Sequence, residues 1–220
     1  MATRDTILVF AGTTAAAVGL EFERKHAEEI QRLTNRLKAA ADAQVGIIKH
    51  RLEEVRDGFQ VLALDVDATG TYQLNAPLDD LRPTWPIGTF VVCQLPGPDL
   101  MDRVREGLQR GRFEFMNGEA VAALSGQSDA SGGVRPNGWL CVEANRARIA
   151  QDIRRRFHTI ITRRQTFARP YESKVRVILT AGSFGGFGSG AFFWLRNLIW
   201  DVAKERQLDI ELTSFLLYPA

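Results

Sequence analysis

Short apolar runs alternate along this chain with longer stretches in which apolar residues recur every three or four positions. The run Thr6-Ile7-Leu8-Val9-Phe10 has the composition of a strand and ends at Ala11-Gly12-Thr13-Thr14. Over the next forty or so residues Val18, Phe22, Leu33 and Leu37 fall near one helical face, and Ile47, Ile48, Leu52 and Val55 form the apolar side of a second helix. Gly46 is the expected division between the two, and Gly58 the stop. Residues 59–66 are apolar enough for a strand covered on both faces. A stretch rich in Pro, Asp and Gly follows up to Gly88, then a third strand over 89–95, broken by Pro96-Gly97-Pro98. Asp99 is placed to cap a short helix reaching Gln109. Residues 126–138 are too polar to pack and predict a loop.

Ile149, Ile153, Phe157, Ile160 and Ile161 recur at helical spacing, so 143–164 reads as one helix. A fourth strand over 174–180, a glycine-rich turn, a helix over 189–206 and a fifth strand over 210–217 complete the order. Strands alternating with helices predict an α/β fold, a mostly parallel sheet flanked by helices on both faces. No repeat or low-complexity linker divides 1–220, and the length suits one domain.

In such sheets ligands sit beyond the carboxyl ends of the strands. Three loops fall on that edge: 12–15, 65–68 and 182–190. The last holds five glycines in nine residues, Gly182-Ser183-Phe184-Gly185-Gly186-Phe187-Gly188-Ser189-Gly190. Glycines bring backbone N–H groups close to a ligand, and the helix that begins there adds unpaired N–H groups and the positive end of its dipole. Together they suit phosphate oxygens. The plainer alternative is a turn needed only for close strand–helix packing. No Gly-Lys-Ser/Thr follows, as a Walker loop requires, and the first turn, Gly12-Thr13-Thr14-Ala15, has one glycine where a dinucleotide fingerprint has several. A dinucleotide-dependent oxidoreductase is therefore disfavoured.

Gly185-Gly186-Phe187-Gly188-Ser189-Gly190 resembles the tubulin/FtsZ signature Gly-Gly-Thr-Gly-Ser/Thr-Gly in five of six places. Val177-Ile178-Leu179-Thr180 leads into it as that family's strand does, and a hydrophobic helix and a strand reaching Tyr218-Pro219 follow in the expected order. Gly133-Val134-Arg135-Pro136-Asn137-Gly138 is similar to a loop that precedes a helix in divergent bacterial tubulin-like proteins, and Asp67-Ala68 to the family's Thr-Asp-Ala turn. The resemblance implies a Rossmann-like tubulin/FtsZ GTPase-domain topology, truncated after 210–217, with the C-terminal half of the family fold absent. It implies a GTP or GDP site, with or without Mg2+, formed by Gly12, Thr13, Thr14, Asp67, Ala68, Gly185, Gly186, Phe187, Gly188, Ser189 and Gly190. Self-association, or a partner supplying the C-terminal half, is implied as well. Phe187 stands where the family has threonine, removing a hydroxyl and adding a ring beside the site. The family's catalytic acids and guanine-reading residues lie later than this chain extends, so GTP hydrolysis would need a second domain or subunit. The rival expectation is a non-enzymatic scaffold that kept the fold and lost the ligand.

The formal charge of +2 gives no field that gathers nucleic acid or anionic membrane. Arg146, Arg148, Arg154, Arg155, Arg156, Arg163, Arg164 and Arg169 crowd one segment, as a solvated helix face or as an anion or partner surface. Cys93 and Cys141 have neither disulfide-framework nor metal spacing and read as buried thiols of a reducing compartment. No apolar stretch approaches the ~20 residues of a membrane span, and no signal peptide is recognisable, so a cytoplasmic protein is expected. Asp65 and Asp67 would point to opposite faces and make a poor acid–base pair. Asp67 suits a ribose, a magnesium-bound water or an ordinary loop cap. His26, His50 and His158 lack metal-ligand neighbours and read as solvated. Phe192, Phe193, Trp194 and Trp200 are expected against the sheet, with some of that apolar surface left for an interface.

Overall fold

The computed structural model describes residues 5–66, 90–111, 135–166, 172–183 and 185–218. Five strands, β1 (Thr6–Ala11), β2 (Phe59–Asp65), β3 (Phe90–Val92), β4 (Val175–Gly182) and β5 (Ile210–Leu217), form one sheet in the order β3-β2-β1-β4-β5. Every pairing is parallel, so the expected α/β class holds. Among the described residues six helices accompany the sheet: α1 (Thr13–Lys38), α2 (Asp42–Asp57), α3 (Pro98–Gln109), α4 (Arg135–Ala144), α5 (Arg146–Thr166) and α6 (Gly186–Glu205). The chain builds outward from β1 to β3, then crosses back to place β4 on the other side of β1. The order therefore reverses between β1 and β4, the place where open α/β sheets form a ligand crevice.

Both faces of the sheet are covered, which explains why β1 is buried at every position. Ile7, Val9, Ala11, Leu62, Leu64, Val177, Leu179 and Ala181 pack with side chains of α4, α5 and α6. Leu8, Phe10, Val61 and Ala63 pack with Ala15, Ala16 and Leu20 of α1. α3 adds Met101 and Val104 against Trp139 and Leu140 of α4.

Several boundaries differ from expectation for identifiable reasons. α1 ends before Ala39–Ala41, and Gly46 lies inside α2, where a side chain would meet nothing within 4 Å. A helical glycine costs about 1 kcal/mol without ending the helix. The basic residues Arg36 and Lys38 close α1 and Asp42 opens α2, each matching the dipole at its end. The expected helix over 143–164 is two helices joined at Asn145. Its amide donates to the Gln94 and Cys141 carbonyls at 2.7 Å each and accepts from Gln94 N–H at 3.0 Å. These bonds also end β3 early, because Gln94 pairs with a side chain rather than with β2. Gly97, not Asp99, is the cap of α3; Asp99 lies in its first turn. Residues 135–138, expected in a loop, form the first turn of α4; 126–134 and Arg169 lie outside the described residues.

The arginines of α5 divide: Arg146, Arg148 and Arg155 are exposed, as a solvated helix face expects, whereas Arg156, Arg163 and Arg164 turn to buried partners. Arg156 is buried and donates to the carbonyls of Val61 and Asp152 at 2.8 and 2.9 Å. Arg163 and Arg164 both reach the wholly buried Asp5 carboxylate ahead of β1, and Arg164 Nε stands 2.6 Å from it. Arg148 donates to Val92 O at 3.0 Å, and Arg154 makes a forked pair with Glu205 of α6. The row fastens α5 to β1, β2, β3 and α6. His26, likewise, is not simply solvated: its Nε2 lies 2.6 Å from Val55 O, and its ring stacks on Phe22.

Candidate functional site

Two strand-to-helix junctions meet at the reversal point. At the first, Gly12 follows β1 with φ 82° and ψ 160° and α1 begins at Thr13. At the second, Gly185 stands before α6 with φ 91° and ψ 148°. This region of backbone space is open essentially to glycine alone. Neither helix start carries a side-chain cap. Each therefore presents first-turn N–H groups and the positive end of a helix dipole at the carboxyl edge of the sheet.

The junctions touch. A Cβ on Gly12 would lie 2.9 Å from both Cα and N of Gly188, and a Cβ on Gly188 would lie 2.8 Å from Ala11 O and 2.9 Å from Gly182 O. Gly188 thus lets the first turn of α6 settle between the ends of β1 and β4. Gly190 and Gly138 serve a different contact. A side chain on Gly190 would overlap the Arg135 carbonyl, and one on Gly138 the Gly186 carbonyl. They permit α4 and α6 to cross at backbone distance. The signature expected as a turn is mostly helix, since α6 already includes Gly186, Phe187, Gly188, Ser189 and Gly190. The strand before it runs two residues beyond the expected end, with Ala181 beside Ala11 and Gly182 beside Leu217.

The Phe187 ring belongs to the hydrophobic core and is 3% exposed, leaving only its backbone to face a ligand. Ser189 Oγ donates to Gly185 O at 2.6 Å, tightening the first turn. Ser183, buried at the end of β4, has a hydroxyl with no hydrogen-bond partner among the described residues. Thr14 is exposed and Thr13 half-buried. Asp67 and Ala68 lie outside the described residues.

One side chain that sequence reasoning set aside belongs to the site. Asp65, the last residue of β2, is 2% exposed. Its Oδ2 accepts the Thr13 hydroxyl at 2.8 Å and its Oδ1 accepts Val66 N–H at 2.7 Å. The bond from Gly12 N–H to Leu64 O, 2.9 Å, holds the two strand ends level so that Thr13 and Asp65 can meet. The signal in the sequence was an acidic residue closing a strand that pairs with β1.

No protein-family model matches the chain. No curated protein matches its sequence either.

Burial dominates the two thiols. It pushes Cys141 from 9.0 up to about 12, with the Asp65 charge adding to the rise, and it raises Cys93 further, helped by Cys141 and Asp65. Neither thiol is a nucleophile at neutral pH. A concavity of about 420 Å³ lies away from the junctions, between α4 and α6, with Trp194 and Trp200 on its wall. Its charged groups answer one another: Arg146 lies 3.5 Å from Glu143 and 3.6 Å from Asp201. Phe192 and Trp200 are half-buried, whereas Phe193 and Trp194 are exposed, with the Trp194 ring 5.3 Å from that of Trp139 and tilted at 40° to it. Among the described residues, no helix is long and apolar enough to cross a membrane.

Proposed function

We propose that this chain binds a nucleotide by its phosphates in the crevice between the carboxyl ends of β1 and β4. The observation that carries the reading is the convergence of two uncapped, glycine-started helix ends, α1 and α6, in contact through Gly12 and Gly188. Backbone N–H groups and two dipole ends aimed at one place favour an anion with several oxygens. Gly185, Gly186, Phe187 and Gly188 contribute their backbone, and the Ser183 hydroxyl, without a hydrogen-bond partner among the described residues, adds a polar group at the end of β4. The resemblance of 185–190 to the tubulin/FtsZ signature supports GTP or GDP as the nucleotide and a tubulin-like, self-assembling role. Hydrolysis is outside the proposal for this chain alone.

Calorimetric titration of the chain with GTP, GDP and ATP tests the reading. Saturable binding below about 1 mM, with guanine preferred, is the expected result. Failure of every nucleotide to bind at that concentration overturns it. A second reading, a scaffold that retains the fold without the ligand, draws on Asp65: one of the two helix ends already faces a buried carboxylate. Identifying any small molecule released when the purified chain is denatured separates the two readings.

A further inference from the structure

We infer that the hairpin of α1 and α2 is a pairing arm, which docks antiparallel on the same arm of a second copy of this chain. The contact lies at the edge of the sheet opposite the proposed nucleotide crevice and needs no ligand there. These two helices are too long for the sheet they flank. β1 has 6 residues and spans about 20 Å, whereas the 26 residues of α1 span about 39 Å. α1 starts beyond the carboxyl edge, and β2 begins level with β1, with Thr6 beside Phe59. The far half of α1 and the 16 residues of α2, about 24 Å long, therefore project past the amino-terminal edge. Burial follows this division. Ala15, Ala16, Gly19 and Leu20 are buried near the start of α1, and beyond them α1 buries only Leu33. Leu33, Ile48 and Val55 belong to none of the sheet's hydrophobic clusters, so the two helices bury them against each other. His26 Nε2, 2.6 Å from Val55 O, closes the base of the arm.

Charge is divided along the arm. The outer half, residues 31–49, carries four bases, Arg32, Arg36, Lys38 and Lys49, against one acid, Asp42, a net +3. The inner half, 23–30 with 50–57, carries six acids against four bases, a net −2. Arg36, Lys38 and Lys49 have no ion-pair partner among the described residues. Two arms laid side by side with their tips together would set like charges opposite one another. Reversed, each basic tip meets an acidic base, and one twofold axis satisfies both contacts at once. Ile47, within a turn of the arm's midpoint and so close to that axis, is 74% exposed. Ala43 lies one turn before it, and Gly46 beside it has open space where a side chain would stand. A second helix can therefore approach closely and cover the isoleucine. Two overlapping arms bury less than the ~1,600 Å² of a standard interface, so the pair is weak. Its charges are exposed, so it is also sensitive to salt.

Sedimentation velocity of the whole chain without nucleotide, from about 10 to about 500 μM, tests the pairing. A monomer–dimer equilibrium is expected, weakened about tenfold between low and high salt. Ile47→Asp should abolish the dimer and leave the circular dichroism unchanged. Reversing the tip (Arg36→Glu, Lys38→Glu and Lys49→Glu together) should also give monomers, as should reversing the base (Glu28→Lys with Glu53→Lys). Mixing the two reversed proteins should restore a dimer containing one of each, because both tip-to-base contacts are again between opposite charges. Damage to the helices could not be repaired by mixing, so this result reads the orientation. Should either reversed protein prove unfolded, Ile47→Asp and the salt dependence decide alone. A chain that stays monomeric over the whole range, as an arm reserved for a different protein would leave it, overturns the inference. So do dimers indifferent to Ile47→Asp, dimers that form only with nucleotide bound, and folded reversed proteins that remain monomeric when mixed. None of these outcomes bears on whether the crevice binds a nucleotide.

Discussion

At the amino-terminal edge of the sheet a wholly buried carboxylate, Asp5, is met by Arg163 and Arg164, and Arg164 directs its remaining N–H groups to the carbonyls of Ser173 and Lys174. At the carboxyl edge the same strands give way to Gly12 and Gly185, two strained conformations and two helix starts without caps. The first edge is stitched by side chains from distant parts of the chain. The second is left with backbone N–H groups facing outward. A protein selected only for stability would be expected to cap both helix starts, since a single cap contributes about 1 kcal/mol. The starts of α2 and α3 carry no side-chain cap either, so what marks the reversal point is that two such starts meet there, in contact through Gly12 and Gly188. One edge secures the fold, and the other carries the proposed binding surface.

The largest effect should come from the secured edge. Asp5→Ala leaves two arginines, 11% and 20% exposed, facing a site without its carboxylate. Removing one partner of a buried ion pair costs roughly 3–5 kcal/mol. Urea unfolding should show a loss of that order, while nucleotide affinity of the molecules still folded stays near native. A variant that keeps its stability but loses binding would invert the proposed division between the edges.

The two glycine junctions should respond less, and unequally. Alanine at Gly185 meets nothing within 4 Å, so its cost is backbone strain alone, about 1–3 kcal/mol. Alanine at Gly12 carries the same strain and also presses on Gly188 at 2.9 Å, which adds the cost of overpacking. Gly12→Ala should therefore unfold at lower urea than Gly185→Ala. Both should weaken nucleotide binding, because each moves a helix start. Equal stability losses would show that α6 can retreat from β1 freely, and unaltered binding in both would detach the ligand from these junctions.

How much of this was legible in the sequence depends on the range of the interaction. β1, β2 and β4 are apolar runs whose burial on both faces follows from composition alone, and the carboxyl-edge position of Gly12 and Gly185 follows from the alternation of elements; β5 is as apolar, yet as an edge strand it is buried only at Ile210. The joint at Asn145 depends on Gln94, fifty-one residues away. The fate of Arg164 depends on Asp5, 159 residues away, so nothing local distinguishes it from a solvated arginine. The glycine signature was visible, but its division of labour was not. Gly185 serves conformation, Gly188 the contact with β1, and Gly190 the crossing with α4; only neighbours in space separate those roles. In the sequence Asp65 stands beside Asp67 as a poor acid–base pair, and its partner Thr13 is brought to it by the pairing of β1 with β2.

The smallest effect concerns the interior between the two edges. Cys141 holds its proton up to about 12 in the folded chain because burial disfavours the thiolate, and Cys93 is shifted the same way. An unfolded chain releases these protons near the ordinary value of 9.0. Between those values the unfolded state binds fewer protons than the folded one, so stability must fall as pH rises. Below pH 9 both states keep the thiols protonated, and no dependence arises from them. Urea midpoints should be flat across the neutral range as far as the thiols are concerned and decline above about pH 9. Replacing both cysteines with alanine should flatten that alkaline decline, although the cavity left behind lowers stability at every pH. In native protein at pH 8 both thiols should resist a thiol reagent until urea unfolds the chain. Rapid labelling under native conditions would mean that the core against β2 and β3 opens far more easily than the arginine-stitched edge beneath it permits.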